Sequence, residues 1–163
     1  MLDLIVIDSK NINSFKNLIK KNDQDFKDFE NIGWSLEQVN NHLEKKDNRS
    51  YGLFKNNDLI GFVVGNLIKF DNFYEYEIYI IYIDTQYRKL GYGTELISII
   101  ADFPYNFPLR KITLEVSEEN KKAVNFYKKN KFNLIGVRKN YYVIKNKKKE
   151  NALIFEKLIY DWK

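Results

Sequence analysis

Cysteine is absent from the 163 residues, and histidine occurs once. The first absence excludes disulfides, cysteine nucleophiles and thiolate metal sites. The second excludes a zinc cluster built on histidine and leaves any Ser-His-Asp triad dependent on His42 alone. His42 lies in the polar run NNHLEKKD and reads as a solvated histidine on a helix. Proline and glycine are scarce, two and seven, and no repeat, linker or low-complexity segment divides the chain. No apolar run approaches the roughly 18 residues of a membrane-spanning helix. The start, MLDLIVIDSK, has an acid at position 3 and too short an apolar stretch for a signal peptide. The expectation is a single domain over residues 1–163, cytoplasmic, with no membrane and no metal.

What is present points to a packed domain. Hydrophobic residues make up 44% and charged residues 30%, with twelve Tyr and twelve Phe, enough to build a core rather than a disordered chain. Such aromatics favour strands and large buried contacts. The net charge of +5 suits anionic ligands such as nucleotides. It gives no specific nucleic-acid motif: the basic run KNKKKEN, residues 145 to 151, is short and reads as a solvated turn.

Leu2 to Ile7 reads as a strand, and Ile12, Phe15, Leu18 and Ile19 form a helical stripe over residues 11–21. Residues 22–33 read as polar and irregular. Ser35 and Gln38 make a capping box for a second helix running to about Lys46. Residues 50–54 and 59–70 are strand-like around Lys55-Asn56-Asn57-Asp58, a hairpin. EYEIYIIYID, ending at Asp84, is apolar on both faces, as in a central strand. A helix over 92–101, a strand over 111–116, a helix over 120–130 and strands near 132–142 and 152–158 complete one α/β domain with a mixed sheet.

RKLGYGTEL, residues 88 to 96, follows that central strand and opens a helix. The first turn of a helix carries unpaired N–H groups and the positive end of the macrodipole. Glycine lets backbone approach a ligand with no Cβ between them. Together these suit a pyrophosphate, with Arg88 and Lys89 adding charge at the rim. The spacing fits neither a Walker P-loop nor a dinucleotide fingerprint. On the loop alone, a plain strand-to-helix turn is an equal reading.

The wider pattern narrows the choice. Arg-x-x-Gly-x-Gly after Ile83-Asp84 resembles the acetyl-CoA motif of the GNAT family of N-acetyltransferases. ITLEVSEENKKAVNFYKKNKFNLIGVRKNYY, residues 112 to 142, is similar to that family's following strand, helix and strand. Within the family, LEV, Asn120, the Ala-Val-x-Phe-Tyr helix and the late Arg-x-x-Tyr-Tyr resemble the bacterial ribosomal-protein-alanine N-acetyltransferases. Trp34-Ser35 and ENALIF fit the same group.

This resemblance implies a GNAT fold: one domain, a mixed, mostly antiparallel central sheet flanked by helices, with two parallel strands that splay, here 76–84 and 111–116. It implies acetyl-CoA as cosubstrate. The N–H groups of Lys89, Leu90, Gly91, Tyr92, Gly93 and Thr94 would hold the pyrophosphate, and the backbone of Ile81, Tyr82 and Ile83 would pair with the pantetheine arm as an added strand does. Asn120 matches a family residue that contacts the cosubstrate, and it is also a good N-cap. Amine acetylation needs a base to neutralise the acceptor and an acid for the leaving thiolate. By the same resemblance Glu115 is the base, with Glu77 its rival, and Tyr127 the acid; Tyr141 and Tyr142 line the acceptor site. From the residues alone, Glu115 also fits a solvent-facing strand position and Tyr127 a core tyrosine. The acceptor implied is a protein N-terminal α-amino group of the ribosomal-protein alanine type, and the enzyme a monomer or homodimer. A GNAT enzyme for a small amine, and a non-catalytic acyl-CoA-binding module, are the alternatives.

Overall fold

A computed structural model describes residues 2–144 and 148–159. Within them the chain runs β1 (Leu2–Ile7), α1 (Ile12–Lys21), α2 (Asp23–Asn31), α3 (Leu36–Leu43), β2 (Ser50–Lys55), β3 (Asp58–Lys69), β4 (Tyr74–Ile83), α4 (Tyr92–Asp102), β5 (Leu109–Ser117), α5 (Lys121–Lys129), β6 (Asn133–Val143) and β7 (Lys149–Leu158). The strands form one seven-stranded sheet in the order β1-β2-β3-β4-β5-β7-β6. Only β4 and β5 pair in parallel; the other neighbours are antiparallel. The basic run at 145–151 falls partly outside the described residues.

Local sequence explains most elements. Lys55 pairs with Asp58 across a two-residue turn, and Asn56 and Asn57 take φ of 50° and 69°, the left-handed pair that such a tight hairpin requires. The capping box forms: the Gln38 N–H donates to Ser35 Oγ at 3.3 Å and the Ser35 N–H to Gln38 Oε1 at 2.7 Å. Two expectations are corrected. Residues 23–31 are helical, because Phe26 buries against Phe62 and Tyr82 and brings Phe29 with it. His42 is not solvated: it is 3% exposed, and its Nε2–H donates to the Gly65 carbonyl at 3.1 Å. Trp34 and Tyr79 pack edge-on against its ring. Burial and the nearby Lys45 ammonium hold its pKa below the ordinary value.

The helices sit on two faces. Phe15, Leu18, Phe26, Val39 and Leu43 of α1 to α3 pack on one side with Phe62 and Val64. Ile97 and Ile100 of α4, with Val124 and Tyr127 of α5, pack on the other with Ile112, Leu114 and Phe155. Strand β4 changes allegiance midway. Its register against β3 matches Gly65 with Ile78 and Val64 with Ile80, leaving Tyr79 as one extra residue. A bulge of this kind bends a strand and shifts its facing by one position. Tyr76 and Ile78 accordingly join the α4–α5 side, while Ile80 and Tyr82 join the α1–α3 side.

Candidate active site

The bulge has a partner event on the other edge of β4. Pairing with β5 runs from Tyr74 and Leu109 to Ile78 and Leu114 and then ends. Both strands continue, β4 to Ile83 and β5 to Ser117. Beyond Ile78 they part, opening a wedge whose walls are unpaired strand edges. The splayed parallel pair expected for residues 76–84 and 111–116 is therefore present.

At the mouth of the wedge lies the glycine loop. Asp84 closes β4, with its N–H donating to the Ile60 carbonyl at 2.8 Å. Its carboxylate is buried, accepts from Lys21 Nζ at 2.7 Å and caps the turn at the Gln86 N–H. Burial pushes the Asp84 carboxyl up, but the Lys21 ammonium and the backbone donor outweigh it and hold it below the usual range. The loop is thus pinned to α1. Gly91 has φ of 92° at the N-cap of α4, where a side chain would be strained. Gly93 serves a different need: a Cβ there would lie 3.0 Å from the Phe126 ring of α5. None of the backbone N–H groups from Lys89 to Thr94 finds an acceptor among the described residues. Next along, the Glu95 N–H returns to the Gly91 carbonyl at 3.0 Å and starts the helix.

Arg88 is at the loop but is committed to the fold. Its Nη2 donates to Asp25 Oδ2 at 2.5 Å and its Nε to the Ile83 carbonyl at 2.9 Å, and its guanidinium lies over the Tyr82 ring. The Ile83 carbonyl is therefore occupied. Tyr82 turns its side chain away from the wedge and donates to Asp25 at 3.0 Å. Asn120 caps α5, accepting from the Ala123 N–H at 3.1 Å, and remains exposed.

Glu115 lies just past the last β4–β5 pair. It alternates with buried Leu114 and Val116, so its carboxylate emerges on the side away from α5. Arg138 Nε of β6 reaches its Oε1 at 3.1 Å. Sequence reasoning quoted this arginine in a motif but gave it no role. Glu77 shares that face two residues back along the register, and its Oε2 accepts from the Tyr79 hydroxyl at 2.9 Å. Tyr79 was not singled out from the sequence either. A run apolar on both faces gives no sign of which residue bulges.

Tyr127 is on the opposite side, packed among Phe126, Phe132 and Phe155. Its hydroxyl has no hydrogen-bond partner among the described residues. Burial drives its pKa well above that of an ordinary tyrosine, with a smaller push from Tyr142. Tyr142 is pushed up to about 12, by burial first and then by the Glu115 and Tyr141 charges. It stands close enough to feel Glu115 and to be felt by Tyr127. Tyr141 is exposed, stacks edge-on against Tyr142 and carries the Arg138 guanidinium over its ring.

The wedge, the unpartnered loop amides and the left-handed Gly91 form an anion cradle leading to two open strand edges. These features fit a pyrophosphate joined to an extended amide-bearing arm. Comparison with known proteins agrees. The acetyltransferase (GNAT) family model matches residues 15–132, and the chain belongs to that family. It is an acetyl-CoA-dependent acetyltransferase. No curated protein sequence matches it. Among solved structures, the ribosomal-protein-S18-alanine N-acetyltransferase of Escherichia coli superimposes with a TM-score of 0.77 at 19% identity, covering 100% of this chain and 97% of that one. NAA60 of Arabidopsis thaliana in complex with acetyl-CoA gives 0.75 at 19%, covering 98% and 99%. Ard1 of Thermoplasma volcanium gives 0.71 at 18%, covering 98% and 99%. At these identities the likeness concerns the fold.

Proposed function

We propose that this acetyltransferase modifies a protein N-terminal α-amino group, with Glu115 as general base and Tyr127 as general acid. The observation that carries the reading is the placement of these two groups on opposite faces of the sheet, on either side of the strand that walls the wedge. Direct transfer adds the amine to the thioester carbon and then expels the thiolate, so it needs a proton acceptor within reach of the amine and a proton donor within reach of the sulfur.

Acetyl-CoA supplies the acetyl group and the thiolate leaving group. The loop amides from Lys89 to Thr94 would bind its pyrophosphate, and the open edge of β4 after Ile78 would align its arm. An α-amino group has a pKa of roughly 8 and must lose a proton before attack. Glu115 accepts that proton, directly or through water. Glu77, oriented by Tyr79, is a second carboxylate on the same face and can share the task. Tyr127 stays protonated because its side chain is largely buried among aromatics and this burial raises its pKa, so it can serve as the donor for the departing sulfur.

The protein-terminus reading draws on the fold neighbours. One is named for the alanine of ribosomal protein S18, and another is Naa50 of Arabidopsis thaliana in complex with the bisubstrate analogue CoA-Ac-MVNAL. The test is release of free CoA thiol with N-terminal Ala, Ser and Met peptides, internal-lysine peptides and small amines. Turnover confined to N-terminal peptides supports the reading. Turnover on small amines alone discards the acceptor and keeps the cosubstrate site.

A further inference from the structure

Tyr79 is the extra residue of the β4 bulge, and the bulge decides where its side chain goes. Tyr79 and Ile80 are consecutive, yet both pack on the α1–α3 side. A regular strand would send them to opposite faces, and a bulge is the device that re-aims one of them. Two contacts from outside β4 hold the bulge. The Gly65 carbonyl accepts from His42 Nε2–H at 3.1 Å, and the Gly65 N–H donates to Ser50 Oγ at 3.3 Å. The Tyr79 ring packs against Trp34 at 5.2 Å and against His42 at 5.1 Å between centroids.

A ring fixed in this way fixes its hydroxyl, which donates to Glu77 Oε2 at 2.9 Å. Burial, and then the Glu77 charge, raise the Tyr79 pKa, so the proton stays on the phenol and the bond keeps its direction. Glu77 stands opposite Thr113, one residue before the β4–β5 ladder ends and two before the level of Glu115. It is therefore at the apex of the wedge, on the Glu115 side.

The other carboxylates of this face are matched by cations. Glu115 has Arg138 at 3.1 Å. Lys111 lies 3.7 Å from Glu75 and 3.0 Å from Glu156. Glu77 has no cation at pairing distance among the described residues, and its partner is a neutral hydroxyl. A neutral donor orients a carboxylate without cancelling its charge. An α-ammonium, with a pKa of roughly 8, is mostly charged at neutral pH and can supply the cation that Glu77 lacks.

We propose that Tyr79 is a positioning residue for acceptor binding: through its hydroxyl it holds Glu77 as the anionic seat for the acceptor's ammonium at the apex of the wedge. The two carboxylates then divide the work. Glu77 captures the cation, and Glu115 takes its proton to give the neutral amine that attacks. This rests on the placement of the acceptor beside Glu115 in the reading above, and it holds for a peptide or a small amine alike.

The test is a double-mutant cycle on Tyr79→Phe and Glu77→Gln, with steady-state kinetics on an N-terminal alanine peptide. Tyr79→Phe keeps the ring and loses the hydroxyl, so its melting temperature and CoA affinity should match those of the unsubstituted enzyme. Its KM for the peptide should rise about tenfold, the scale of a lost hydrogen bond to a charged group, with kcat largely kept, the signature of lost acceptor binding. Glu77→Gln should raise KM at least as much, and the double variant no further, because the hydroxyl acts only through the carboxylate. An unchanged KM in Tyr79→Phe would overturn the proposal, as would losses that multiply in the double variant. A joint fall in kcat, CoA affinity and melting temperature would also overturn it, by making the role structural. Full turnover in Glu115→Gln would refute the base assignment and leave this cycle readable. If small amines alone are acetylated, the protein-terminus reading fails and the cycle is run with the amine that turns over. If nothing is acetylated, calorimetric titration of the alanine peptide into the CoA-bound enzyme decides: binding that Tyr79→Phe weakens sustains the proposal, and binding that it leaves untouched, or no binding, ends it.

Discussion

Glu115 and Tyr127 face away from each other across β5, one emerging beside Arg138 on the open face and the other buried under α5 among Phe126, Phe132 and Phe155. The nearby wedge between β4 and β5 joins the two sides. Removing either group should therefore impair one half of the transfer without disturbing the cosubstrate cradle. Glu115→Gln and Tyr127→Phe are each expected to lower kcat by about a hundredfold, the lower range for a lost acid or base, with acetyl-CoA affinity held. Full turnover in both variants would refute the assignment.

Ionisation of the tyrosines sets the alkaline limit. Tyr127 is raised well above the ordinary tyrosine value and Tyr142 to about 12, both mainly by burial. Raised values mean that both hydroxyls keep their protons past the pH at which a free tyrosine loses its own. The kcat/KM profile should rise as the acceptor amine deprotonates and show no descending limb near pH 10, within the range where the fold survives. A fall at that point with an apparent pKa of about 10 would place an ordinary, solvated tyrosine in the mechanism instead.

The two glycines of the loop should fail differently. Gly91→Ala forces a side chain into φ of 92°, at a cost of about 1–2 kcal/mol. It re-aims the amides from Lys89 to Thr94, so acetyl-CoA affinity should fall roughly tenfold or more. Gly93→Val presses on Phe126 and should lower thermal stability as well as affinity. Calorimetric titration with CoA and a melting curve for each variant separate the two effects. Unchanged CoA affinity in Gly91→Ala would remove the loop from the binding site.

His42 supplies a pH-dependent element of stability. Its folded-state pKa lies below the unfolded value of about 6.5 because burial disfavours the charged ring. The unfolded chain therefore binds the extra proton first. The stability contribution is complete above about pH 6.5 and is lost as pH falls through the folded value. Urea midpoints should drop between pH 7 and pH 5, and His42→Gln, less stable overall, should show a flatter dependence. Parallel pH profiles for the two proteins would exclude His42 as the cause.

Much of this was legible from residues alone, for identifiable reasons. The Asn56-Asn57 hairpin, the Ser35–Gln38 cap and the stripe of α1 are local features, and local chemistry fixes them. RKLGYGTEL showed its turn into α4 because a helix start and two glycines are sequence-adjacent. Helix α2 escaped notice because DQDFKDFEN offers only Phe26 and Phe29 as its apolar face, too few for a period to stand out. His42 continues a stripe from Val39 on α3, yet the polar residues around it hid that face. The bulge at Tyr79 was silent because residues on both sides of EYEIYIIYID are apolar, so no alternation was broken. Its effect depends on β3 and β5, which are distant in sequence.

The early end of the β4–β5 ladder has a thermodynamic corollary. On the binding mode proposed above, the cosubstrate would supply the hydrogen bonds that β4 and β5 leave unmade beyond Ile78, and so would act as a structural member as well as a reactant. A ligand that binds only the folded chain stabilises it by about 2.7 kcal/mol at a hundred times its dissociation constant. The melting temperature should therefore climb by several degrees with CoA and serve as a gauge of occupancy, readable before any acceptor has been identified.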